Sequence, residues 1–490
     1  MMNILSKYVL FVFLLPIFFV LHSYSEYYDL VPLEPALRLT FWYLIASAAF
    51  MLIYYIFLKN IRKAGLMTFL TMSYHFFFGS VQDLMNKYFP NSFATKYSFI
   101  LLMSLVLFIA AILLLKRGKQ HFTRVTLYLN LVMLVIILVD TSLLWIKMAR
   151  KQSAEIIPEE TILHCDTCPT PDIYLLIADA YPGKLQFKNI LNYDNSRFED
   201  ALKQRGFYIT DSSFSNYNFT FFSMSSLLNF NYLRTVSGSI RDIQNIPAGS
   251  KVLKNSLVLR FFKNEGYSFY NFSPFDFVDN RTKTKPTFWI NDTRPVTSQT
   301  FLSRLNRDLG YHLVTTFKVR PINPYPIDQD LKNNEILYAE TIKAAKTTSK
   351  TPKFIYTHLT MPHNPYYYDS TGTAIPLDKL TKEYAFDRKA AVQYIVYTNR
   401  KFLSLIDTIL ASSPKPPIIL LLSDHGFREI KEEEYRNTMF LNLNTVYFPD
   451  KDYTGFYRGM SNVNLFRLLL NKYFGQKLPF LKDSAIFLSD

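Results

Sequence analysis

The chain has 490 residues, a formal net charge of +15, and hydrophobic residues at 49% of its positions. This length leaves room for more than one structural unit, and the composition averages two unlike parts, because long apolar runs are confined to residues 1–150. The sequence has no arginine-rich arm and no basic–aromatic repeat, so its positive charge does not predict nucleic-acid binding. Its 2 cysteines are too few to form a structural zinc site of their own.

Five apolar runs in residues 1–150 predict transmembrane helices, each of which needs roughly 20 residues. They are Tyr8–His22, Thr40–Leu58, Gly65–Val81, Tyr97–Leu115 and Val125–Ile146. No small-residue cleavage site follows the first and shortest run, so we interpret it as a retained helix and not as a cleaved signal peptide. Residues 1–150 are therefore predicted to form a membrane domain.

Loop charges predict how this domain is oriented. Basic residues lie in the loops at 59–63 and 116–124, whereas the loop after the first run is mainly acidic. The positive-inside rule places both basic loops and the N-terminus in the cytoplasm. Five crossings then put everything after Trp145 outside the cytoplasm, in a multi-pass protein of the cell (inner or cytoplasmic) membrane. Lys147 and Arg150 oppose this orientation unless they meet anionic lipid headgroups.

Two ionisable residues within the predicted spans have two interpretations each. At His75 and Asp140 an ionisable group is a candidate functional site, but an interfacial or helix-pairing role is the interpretation that we prefer. Residues 151–170 are predicted to be a polar tether. In an exported domain, its cysteines, Cys165 and Cys168, form a local disulfide or remain free thiols.

A buried strand that ends in an acid organises the remainder of the chain. Ile173–Ala178 is a short apolar run, Asp179 follows at once, and a Pro-Gly pair then ends the strand. In open α/β sheets, ligands bind beyond the C-terminal ends of strands, so this carboxylate is a candidate metal ligand. The alternative is a helix or turn cap. A second apolar strand, Ile418–Leu422, ends in Ser-Asp-His-Gly at positions 423–426.

Apolar strands alternate with helical patterns from residue 171 onward. This alternation predicts an α/β domain over residues 171–490, with a mostly parallel central sheet and helices on both faces. The predicted elements include a helix at Val252–Asn264 and strands at Lys353–His358 and Met439–Phe448. The stretch at 270–330, with many Pro, Asn and Thr residues, is predicted to form loops over the active face.

The segment SNYNFTFFSMSSLLN, at 215–229, lies between the two acid-ending strands. Thr220 stands where a loop enters a helix, and a metal-activated hydroxyl at that point can attack phosphorus or sulfur. The helix N-terminus behind it would bind the anionic leaving or transferred group. Thr220 is otherwise an ordinary N-cap residue, and Ser223, Ser225 and Ser226 are competing nucleophiles.

Four motifs occur in a fixed order, each at a predicted strand end or helix start: LIADAYPG, NYNFTFFSMSSLLN, HLTMPHNPYYYD and SDHG. Together they resemble the alkaline phosphatase superfamily. Within it, the chain is most similar to membrane-anchored sulfatase-like proteins of the lipoteichoic acid synthase and phosphoethanolamine transferase kind. The resemblance covers roughly Pro171 to Asp490, and the five-helix anchor is similar to that of those enzymes.

The resemblance implies a single divalent metal ion, Zn, Mn or Mg. The metal ligands that it implies are Asp179, Thr220, Asp424 and His425. It further implies that Thr220 is the nucleophile and is transiently modified during the reaction. His358 or His363 would contact the transferred group or protonate the leaving alcohol.

The chain departs from related hydrolases at two places. Ala180 follows Asp179 where sulfatases carry a second acid, and neither cysteine lies in a C/S-x-P-x-R motif. Residues 370–423 contain no D-x-x-x-H motif of the kind that two-metal phosphatases use. These departures favour one metal over two, and a phosphoester over a sulfate ester.

Substrate contacts are predicted for residues near the motifs. His363 lies in a Pro-rich loop, where function is more frequent than packing, so we favour it over His358 for substrate contact. Arg428, just beyond the SDHG motif, is a candidate for a bidentate phosphate contact, with a solvated surface arginine as the alternative. Asn216 and Asn218 are predicted to line the pocket.

These features predict a metal-dependent enzyme that moves a phosphoester group through a threonine intermediate at the membrane surface. The anchor favours a phospholipid-derived head group as the donated group and a glycan or lipid as the acceptor. A phosphodiesterase, phosphatase or sulfatase that releases the group to water is one alternative, since the same intermediate serves both. A non-catalytic membrane binding protein on a hydrolase fold is another, and the intact candidate ligands argue against it.

Overall fold

The chain, in a computed structural model, divides into two units. The structure describes residues 2–28, 31–90, 92–118, 121–149, 162–165, 167–234, 236–239, 245–284, 293–315, 328–376, 379–380, 386–430 and 433–489. The first unit comprises Met1–Ser153 and Trp289–Pro324, and the second comprises Ala154–Phe288 and Tyr325–Asp490. Residues 151–161 of the predicted tether lie outside the described residues.

Helices and strands are numbered in chain order. The helices are α1 (Met2–Lys7), α2 (Phe11–Glu26), α3 (Leu33–Leu58), α4 (Ile61–Tyr88), α5 (Tyr97–Arg117), α6 (Thr123–Ala149), α7 (Lys184–Gln186), α8 (Ser196–Gln204), α9 (Thr220–Leu227), α10 (Asn245–Lys254), α11 (Leu257–Asn264), α12 (Arg294–Thr297), α13 (Phe301–Thr315), α14 (Gln329–Lys346), α15 (Arg388–Ser412) and α16 (Leu465–Tyr473). The strands are β1 (Ile173–Ala178), β2 (Tyr208–Ile209), β3 (Ser268–Phe272), β4 (Lys353–Leu359), β5 (Ile418–Leu422) and β6 (Asn444–Tyr447).

Three helices of the first unit, among the described residues, are long and apolar enough to cross a membrane. They are α3, α5 and the part of α6 at Thr123–Met148. Their apolar side chains face outward, and Leu102, Leu107 and Leu114 of α5 are 61%, 61% and 72% exposed. A continuous apolar surface of this size is stabilised by lipid and not by water. These helices therefore indicate a membrane anchor.

The other two predicted spans correspond to α2 and α4. The first has only 16 residues, and the second has 28 residues with more polar side chains than a lipid-facing helix carries. The two helices pack against each other, and Phe19 of α2 stacks on Phe76 of α4 with ring centroids 4.2 Å apart. A helix packed among other helices tolerates polar residues that a lipid-facing helix does not. The structure thus supports three spans and leaves the count of five as a prediction.

Buried polar groups join α2 to α6. The Asn130 side chain accepts the Phe11 N–H at 2.7 Å and donates to two carbonyl oxygens of the preceding turn, which satisfies the backbone at the break between α1 and α2. Asp140 contacts His22 Nδ1 at 3.2 Å. His75 packs its ring against aromatic rings of α3 and α4. These contacts agree with the helix-pairing interpretation of the two intramembrane ionisable groups.

The prediction of loops over 270–330 is wrong at α12 and α13, which belong to the first unit and pack against α2 and α4, respectively. Residues 273–284 are irregular as predicted, and residues 285–292 and 316–327 lie outside the described part of the chain. The Gly79 N–H donates to the Gln299 carbonyl oxygen at 2.8 Å, and the Arg304 guanidinium contacts Asp83. A Cβ on Gly79 would lie 2.7 Å from that carbonyl oxygen, so only glycine permits the approach. Tertiary contacts of this kind order a segment whose local composition favours loops.

The second unit is built on a six-stranded sheet in the order β2-β6-β5-β1-β4-β3. The central strand β1 pairs in parallel with β4 and β5, and all residues of these three strands are buried. β3 continues the parallel part, whereas β6 runs antiparallel to β5 and β2 antiparallel to β6. The sheet is therefore mixed, with a parallel centre as predicted. The strand predicted at Met439–Phe448 is shorter, because a 3₁₀ turn occupies Glu433–Phe440.

Helices cover the sheet and set the positions of the loops. The amphipathic helix α15 begins at its N-cap Asp387, which accepts the Ala390 N–H, and buries an apolar face in the core. The helix predicted at Val252–Asn264 is interrupted, because the Ser256 hydroxyl accepts the Leu259 N–H and starts α11 as a separate helix. Cys165 and Cys168 are joined by a disulfide, one of the two predicted states.

Candidate active site

The sheet brings the two acid-ending strands side by side. Asp179 directly follows β1, and Asp424 and His425 follow β5, its parallel neighbour. His358 lies on β4, the neighbour on the other side, paired in register with Ile177. Because the carboxyl ends of parallel strands meet at one edge of a sheet, these side chains converge. The ligand atoms of Asp179, Asp424 and His425 all lie within 4.8 Å of one another, and all three residues are buried.

The cluster fits a metal ion because its inward-facing atoms are unpaired. Among the side chains that the structure describes, Asp179 Oδ1, Asp424 Oδ2 and His358 Nε2 are buried without a hydrogen-bond partner. A buried carboxylate oxygen left in this way is strongly destabilising unless a cation or donor compensates it. Two carboxylates and an imidazole supply the oxygen and nitrogen donors that Zn and Mn accept.

Hydrogen bonds behind the cluster orient its ligand atoms. His425 Nδ1 donates to the Gly426 carbonyl oxygen at 2.7 Å, which leaves the Nε2 lone pair facing the carboxylates. Asp424 Oδ1 accepts the Ala180 N–H at 3.0 Å, which leaves Oδ2 for a metal. Ala180 makes this bond from a left-handed conformation, with φ of 58°. A Cβ on Gly426 would overlap the Leu441 carbonyl oxygen, so glycine is required there.

Electrostatics keep these groups in their ligating forms. Burial, reinforced by Arg428, lowers the pKa of His425 to about 4, so its imidazole is neutral at physiological pH. Burial opposes ionisation of Asp179, but the neighbouring His363 and His358 outweigh it and hold the pKa of this carboxyl below its usual value. Asp179 is therefore a carboxylate and His425 a neutral base, the states that bind a divalent cation.

Thr220 places a hydroxyl at the edge of the cluster. It is the first residue of α9, and its Oγ1 lies 3.1 Å from His425 Nε2. The N–H groups of the first helical turn have no intrahelical partners and attract anions to this point. The competing serines face elsewhere: the hydroxyls of Ser223, Ser225 and Ser226 donate to backbone carbonyl oxygens. The contacts thus favour Thr220 among the four candidate nucleophiles.

The two predicted substrate histidines occupy different positions. His358 Nδ1 is hydrogen-bonded to the Tyr356 hydroxyl at 2.9 Å, and its Nε2 lies 3.6 Å from Asp179 Oδ2. His363 lies in the loop after β4, where its Nδ1 donates to the Asn364 carbonyl oxygen at 2.6 Å, so Nε2 faces away from that bond. Burial acts to lower the pKa of His363, but Asp179 and the Asn364 carbonyl raise it above its ordinary value.

The remaining predicted site residues make structural contacts. The Asn216 amide donates to Ser461 Oγ at 3.1 Å and to the Ser484 carbonyl oxygen at 3.0 Å. The Asn218 side chain exchanges two hydrogen bonds with the Leu488 backbone, at 2.9 and 2.8 Å. These contacts hold the C-terminal segment against the Thr220 turn, and they occupy the amide groups that were predicted to line the pocket.

Arg428 also contacts protein atoms. Its Nη1 donates to the Asn218 carbonyl oxygen at 3.0 Å, and its guanidinium lies 4.6 Å from the centre of the Phe219 ring. The sequence reasoning missed its neighbour Glu429, whose carboxylate accepts the Tyr366 hydroxyl. An acid three residues beyond the SDHG motif was the available signal, because a charged pair next to a ligand strand end is seldom without a partner.

The chain is similar to several solved structures of low sequence identity. No family model matches the chain, and no curated protein matches it. Similar solved structures exist: the C-terminal periplasmic domain of EcEptC from Escherichia coli is 14% identical over 68% of this chain and 92% of that domain, with a TM-score of 0.39. The corresponding domain of the phosphoethanolamine transferase EptC from Campylobacter jejuni is 13% identical over 64% and 92%, with a TM-score of 0.36.

An alkaline phosphatase superfamily protein from Vibrio parahaemolyticus is 12% identical over 67% of this chain and 76% of that one, with a TM-score of 0.40. The neighbours are phosphoethanolamine transferases, sulfatases and a protein of the alkaline phosphatase superfamily. They are the kinds of protein that the sequence motifs resemble, and one structure of the E. coli domain is a complex with zinc. Identities of 12–14% are too low to transfer a function, which has to come from the side chains of the site.

Proposed function

We propose that this protein is a metal-dependent phosphoester transferase or hydrolase that acts at a membrane surface with Thr220 as its nucleophile. The observation that carries the proposal is the convergence of Asp179, Asp424 and His425, with two unpaired buried carboxylate oxygens, beside the Thr220 hydroxyl. A nucleophile next to an anion-binding helix N-terminus and a cation site is the arrangement that phosphoryl transfer requires.

The metal site takes one divalent cation, with Zn, Mn and Mg as the candidates. Asp179, Asp424, His425 and the Thr220 oxygen would hold it. Asp179 Oδ1 and Asp424 Oδ2 lack a hydrogen-bond partner, and Thr220 Oγ1 lies 3.1 Å from His425 Nε2 at the same cluster. When bound, such a cation lowers the pKa of an oxygen nucleophile and neutralises charge on the transferred group.

The chain's own residues then divide the reaction between two steps. The deprotonated Thr220 Oγ1 forms a bond to phosphorus, and the bond from phosphorus to the donor alcohol breaks. His363 Nε2 gives its proton to that leaving oxygen, which is consistent with the raised pKa of this imidazole. The N–H groups at the start of α9 bind the phosphoryl oxygens throughout. In the second step, the neutral His363 takes the proton of an acceptor hydroxyl, the acceptor oxygen forms a bond to phosphorus, and the bond from phosphorus to Thr220 Oγ1 breaks.

The donor and acceptor follow from the membrane anchor. Three exposed apolar helices support a substrate that resides in lipid, so we propose a phospholipid-derived head group as the donated group and a glycan or lipid as the acceptor. The proposed orientation has the N-terminus in the cytoplasm and the catalytic unit outside it, as the loop charges predict. Water as the acceptor would make the protein a phosphodiesterase or phosphatase with the same residues.

The nucleophile is tested with a pair of Thr220 variants in the full-length protein. Thr220→Val keeps the shape of the side chain and removes the hydroxyl, whereas Thr220→Ser keeps the hydroxyl. Fluorescently labelled phosphatidylethanolamine is the donor, and intact-mass spectrometry detects the phosphothreonine adduct. We expect the valine variant to lose turnover and adduct, and the serine variant to retain a serine adduct. Turnover by the valine variant at the wild-type rate would rule out this mechanism.

The same assay separates the alternatives. Product that appears only when a glycan or lipid acceptor is added identifies a transferase, and product formed in buffer alone identifies a hydrolase. A protein that holds about one metal ion per chain but consumes no phosphoester would favour the non-catalytic alternative. An arylsulfate substrate tests the sulfatase alternative, which Ala180 argues against.

A further inference from the structure

Two adjacent residues of opposite charge, Arg428 and Glu429, follow the metal-ligating strand end and contact both halves of the candidate active site. Arg428 reaches the turn before α9. Its Nη1 donates to the Asn218 carbonyl oxygen at 3.0 Å, and its guanidinium stacks 4.6 Å from the centre of the Phe219 ring. Phe219 directly precedes Thr220, so Arg428 restrains the backbone that carries the nucleophile.

Glu429 reaches the other half of the site. Its carboxylate accepts the Tyr366 hydroxyl and the Asn364 N–H. The Asn364 carbonyl oxygen in turn accepts the His363 Nδ1–H at 2.6 Å. Both peptide groups of Asn364 are thus held, one by Glu429 and one by the imidazole, which sets the direction in which His363 Nε2 points.

We propose that Arg428 and Glu429 are positioning residues, in which Arg428 aligns Thr220 for attack and Glu429 aligns His363 for protonation of the leaving group. This inference rests on the proposed function. The physical reason is that attack and departure occur on opposite sides of phosphorus, so the two groups have to be held at a fixed separation. Arg428 and Glu429 are adjacent in sequence, so only one peptide bond separates the residue that contacts the Thr220 turn from the residue that contacts the His363 loop. Its charges cancel, so it adds no net charge to a site that binds anions.

Donors with different leaving groups separate the two roles. Bis(4-nitrophenyl) phosphate releases nitrophenolate, which needs no proton, whereas a phospholipid releases an alkoxide that does. For Glu429→Ala in the zinc-loaded full-length protein, we expect kcat on fluorescent phosphatidylethanolamine to fall by about 100-fold with KM within about threefold. On the nitrophenyl donor, kcat should stay within about threefold. For Arg428→Ala, kcat should fall by about tenfold or more with both donors, since Thr220 attacks in both reactions.

Conservative substitutions at Glu429 and Tyr366 test whether the hydrogen bonds of Glu429 account for the loss of kcat. Glu429→Gln keeps an oxygen that accepts the Asn364 N–H, and its amide N–H can donate to the Tyr366 hydroxyl, so we expect it to restore kcat on the lipid to within about tenfold of wild type. Tyr366→Phe removes one of the two hydrogen bonds and should cause a smaller loss confined to the lipid donor. The matched control is Glu335→Ala, because Glu335 accepts the Tyr368 hydroxyl at 3.3 Å in a second tyrosine–glutamate pair on the surface. This control should leave both rates unchanged.

Three results would overturn the proposal. Equal losses with both donors in Glu429→Ala would mean that this residue does not act through the leaving group. A raised KM for the lipid alone, in both Glu429→Ala and Glu429→Gln, would mean that Glu429 binds the amine of the head group. Unchanged kcat in Arg428→Ala would remove its role in aligning Thr220. If the wild-type protein consumes neither donor, the proposed function is wrong, and this inference, which rests on it, is wrong as well. That outcome differs from the three above, in which the wild-type protein is active.

Discussion

Replacing Asp424 by Asn is expected to stabilise the metal-free protein and to weaken the metal-loaded one. The carboxylates of Asp179 and Asp424 offer ligand atoms within 4.8 Å of one another, a separation at which two like charges repel by roughly 3 kcal/mol at an effective dielectric constant near 20. The imidazoles of His363 and His358 act in the opposite sense and hold the pKa of Asp179 below its usual value. The repulsion between the two carboxylates is the contribution that the loss of one charge removes.

The substitution keeps one contact of Asp424 and turns a second into a hydrogen bond. An asparagine keeps Oδ1, which accepts the Ala180 N–H at 3.0 Å. It also places an N–H donor where Asp424 Oδ2 now lies 3.3 Å from His425 Nε2, an acceptor. Losing the repulsion and gaining a hydrogen bond should raise the free energy of unfolding by about 1–3 kcal/mol, or the Tm by about 2–4 °C for each kcal/mol.

In the presence of a bound metal ion, the wild-type protein is expected to be more stable than Asp424→Asn. At a free zinc concentration of about 100 times its Kd, the wild-type protein gains about 2.7 kcal/mol from binding, whereas the variant lacks one ligand and gains much less. Differential scanning calorimetry of the full-length protein, in EDTA and in excess zinc, measures both states. The control is Asp407→Asn, which removes a surface charge paired with Arg205 and should have the same small effect in both buffers. A lower Tm for Asp424→Asn than for wild type in EDTA would refute the reasoning.

Three further substitutions test close contacts. Two of them place a Cβ where the structure leaves no room for one, and the third removes a side chain that hydrogen-bonds to backbone groups. Gly426→Ala places a Cβ against the Leu441 carbonyl oxygen, so the Gly426 carbonyl that orients His425 has to move, and zinc affinity by competition titration should fall about 10–100-fold. Gly79→Ala clashes with the Gln299 carbonyl at 2.7 Å and should destabilise the packing of α12 and α13 on α4 by about 1–3 kcal/mol, measured as faster amide exchange in that segment. Asn130→Leu leaves the backbone at the α1–α2 break unpaired and should lower the Tm of the detergent-solubilised protein, at a cost of about 1–3 kcal/mol.

The controls for these variants come from the same chain. Gly118 has a φ of −66°, and a Cβ there would meet only one atom, at 3.2 Å, so Gly118→Ala should be close to neutral. Wild-type zinc affinity in Gly426→Ala would mean that its carbonyl does not orient the ligand. Unchanged exchange in Gly79→Ala would mean that α4 and the α12–α13 segment are not in tight contact.

Local signals were sufficient to predict the three residues that converge in the cluster. An apolar run that stops at an acid is readable in sequence, because a buried strand must be apolar and a charged side chain must leave it. The two such runs, at Ile173–Ala178 and Ile418–Leu422, proved to be neighbouring parallel strands, and their terminal residues form the cluster. Thr220 was predicted to be the nucleophile because it stands where a loop enters a helix, and the structure starts α9 at that residue.

Contacts between distant segments were not readable. Asn218 is bonded to Leu488, 270 residues away, and nothing near either residue in the sequence marks the pair. Arg428 was predicted to bind phosphate because a guanidinium fits it, yet its hydrogen bond to Asn218 depends on which backbone lies opposite. The same reason explains why the segment with α12 and α13 was predicted as loops: its order depends on its fit to Gly79.

The amino-acid sequence by itself determined the apolar helices, the alternation of strands and helices, and the chemical types of the candidate ligands. These properties follow from short-range patterns of hydrophobicity and charge. Only the tertiary structure decided which atoms remain unpaired, since hydrogen-bond satisfaction is a property of the whole fold. It left Asp179 Oδ1 and Asp424 Oδ2 facing one cluster, and it directed three nearby serine hydroxyls to the backbone while Thr220 faces His425.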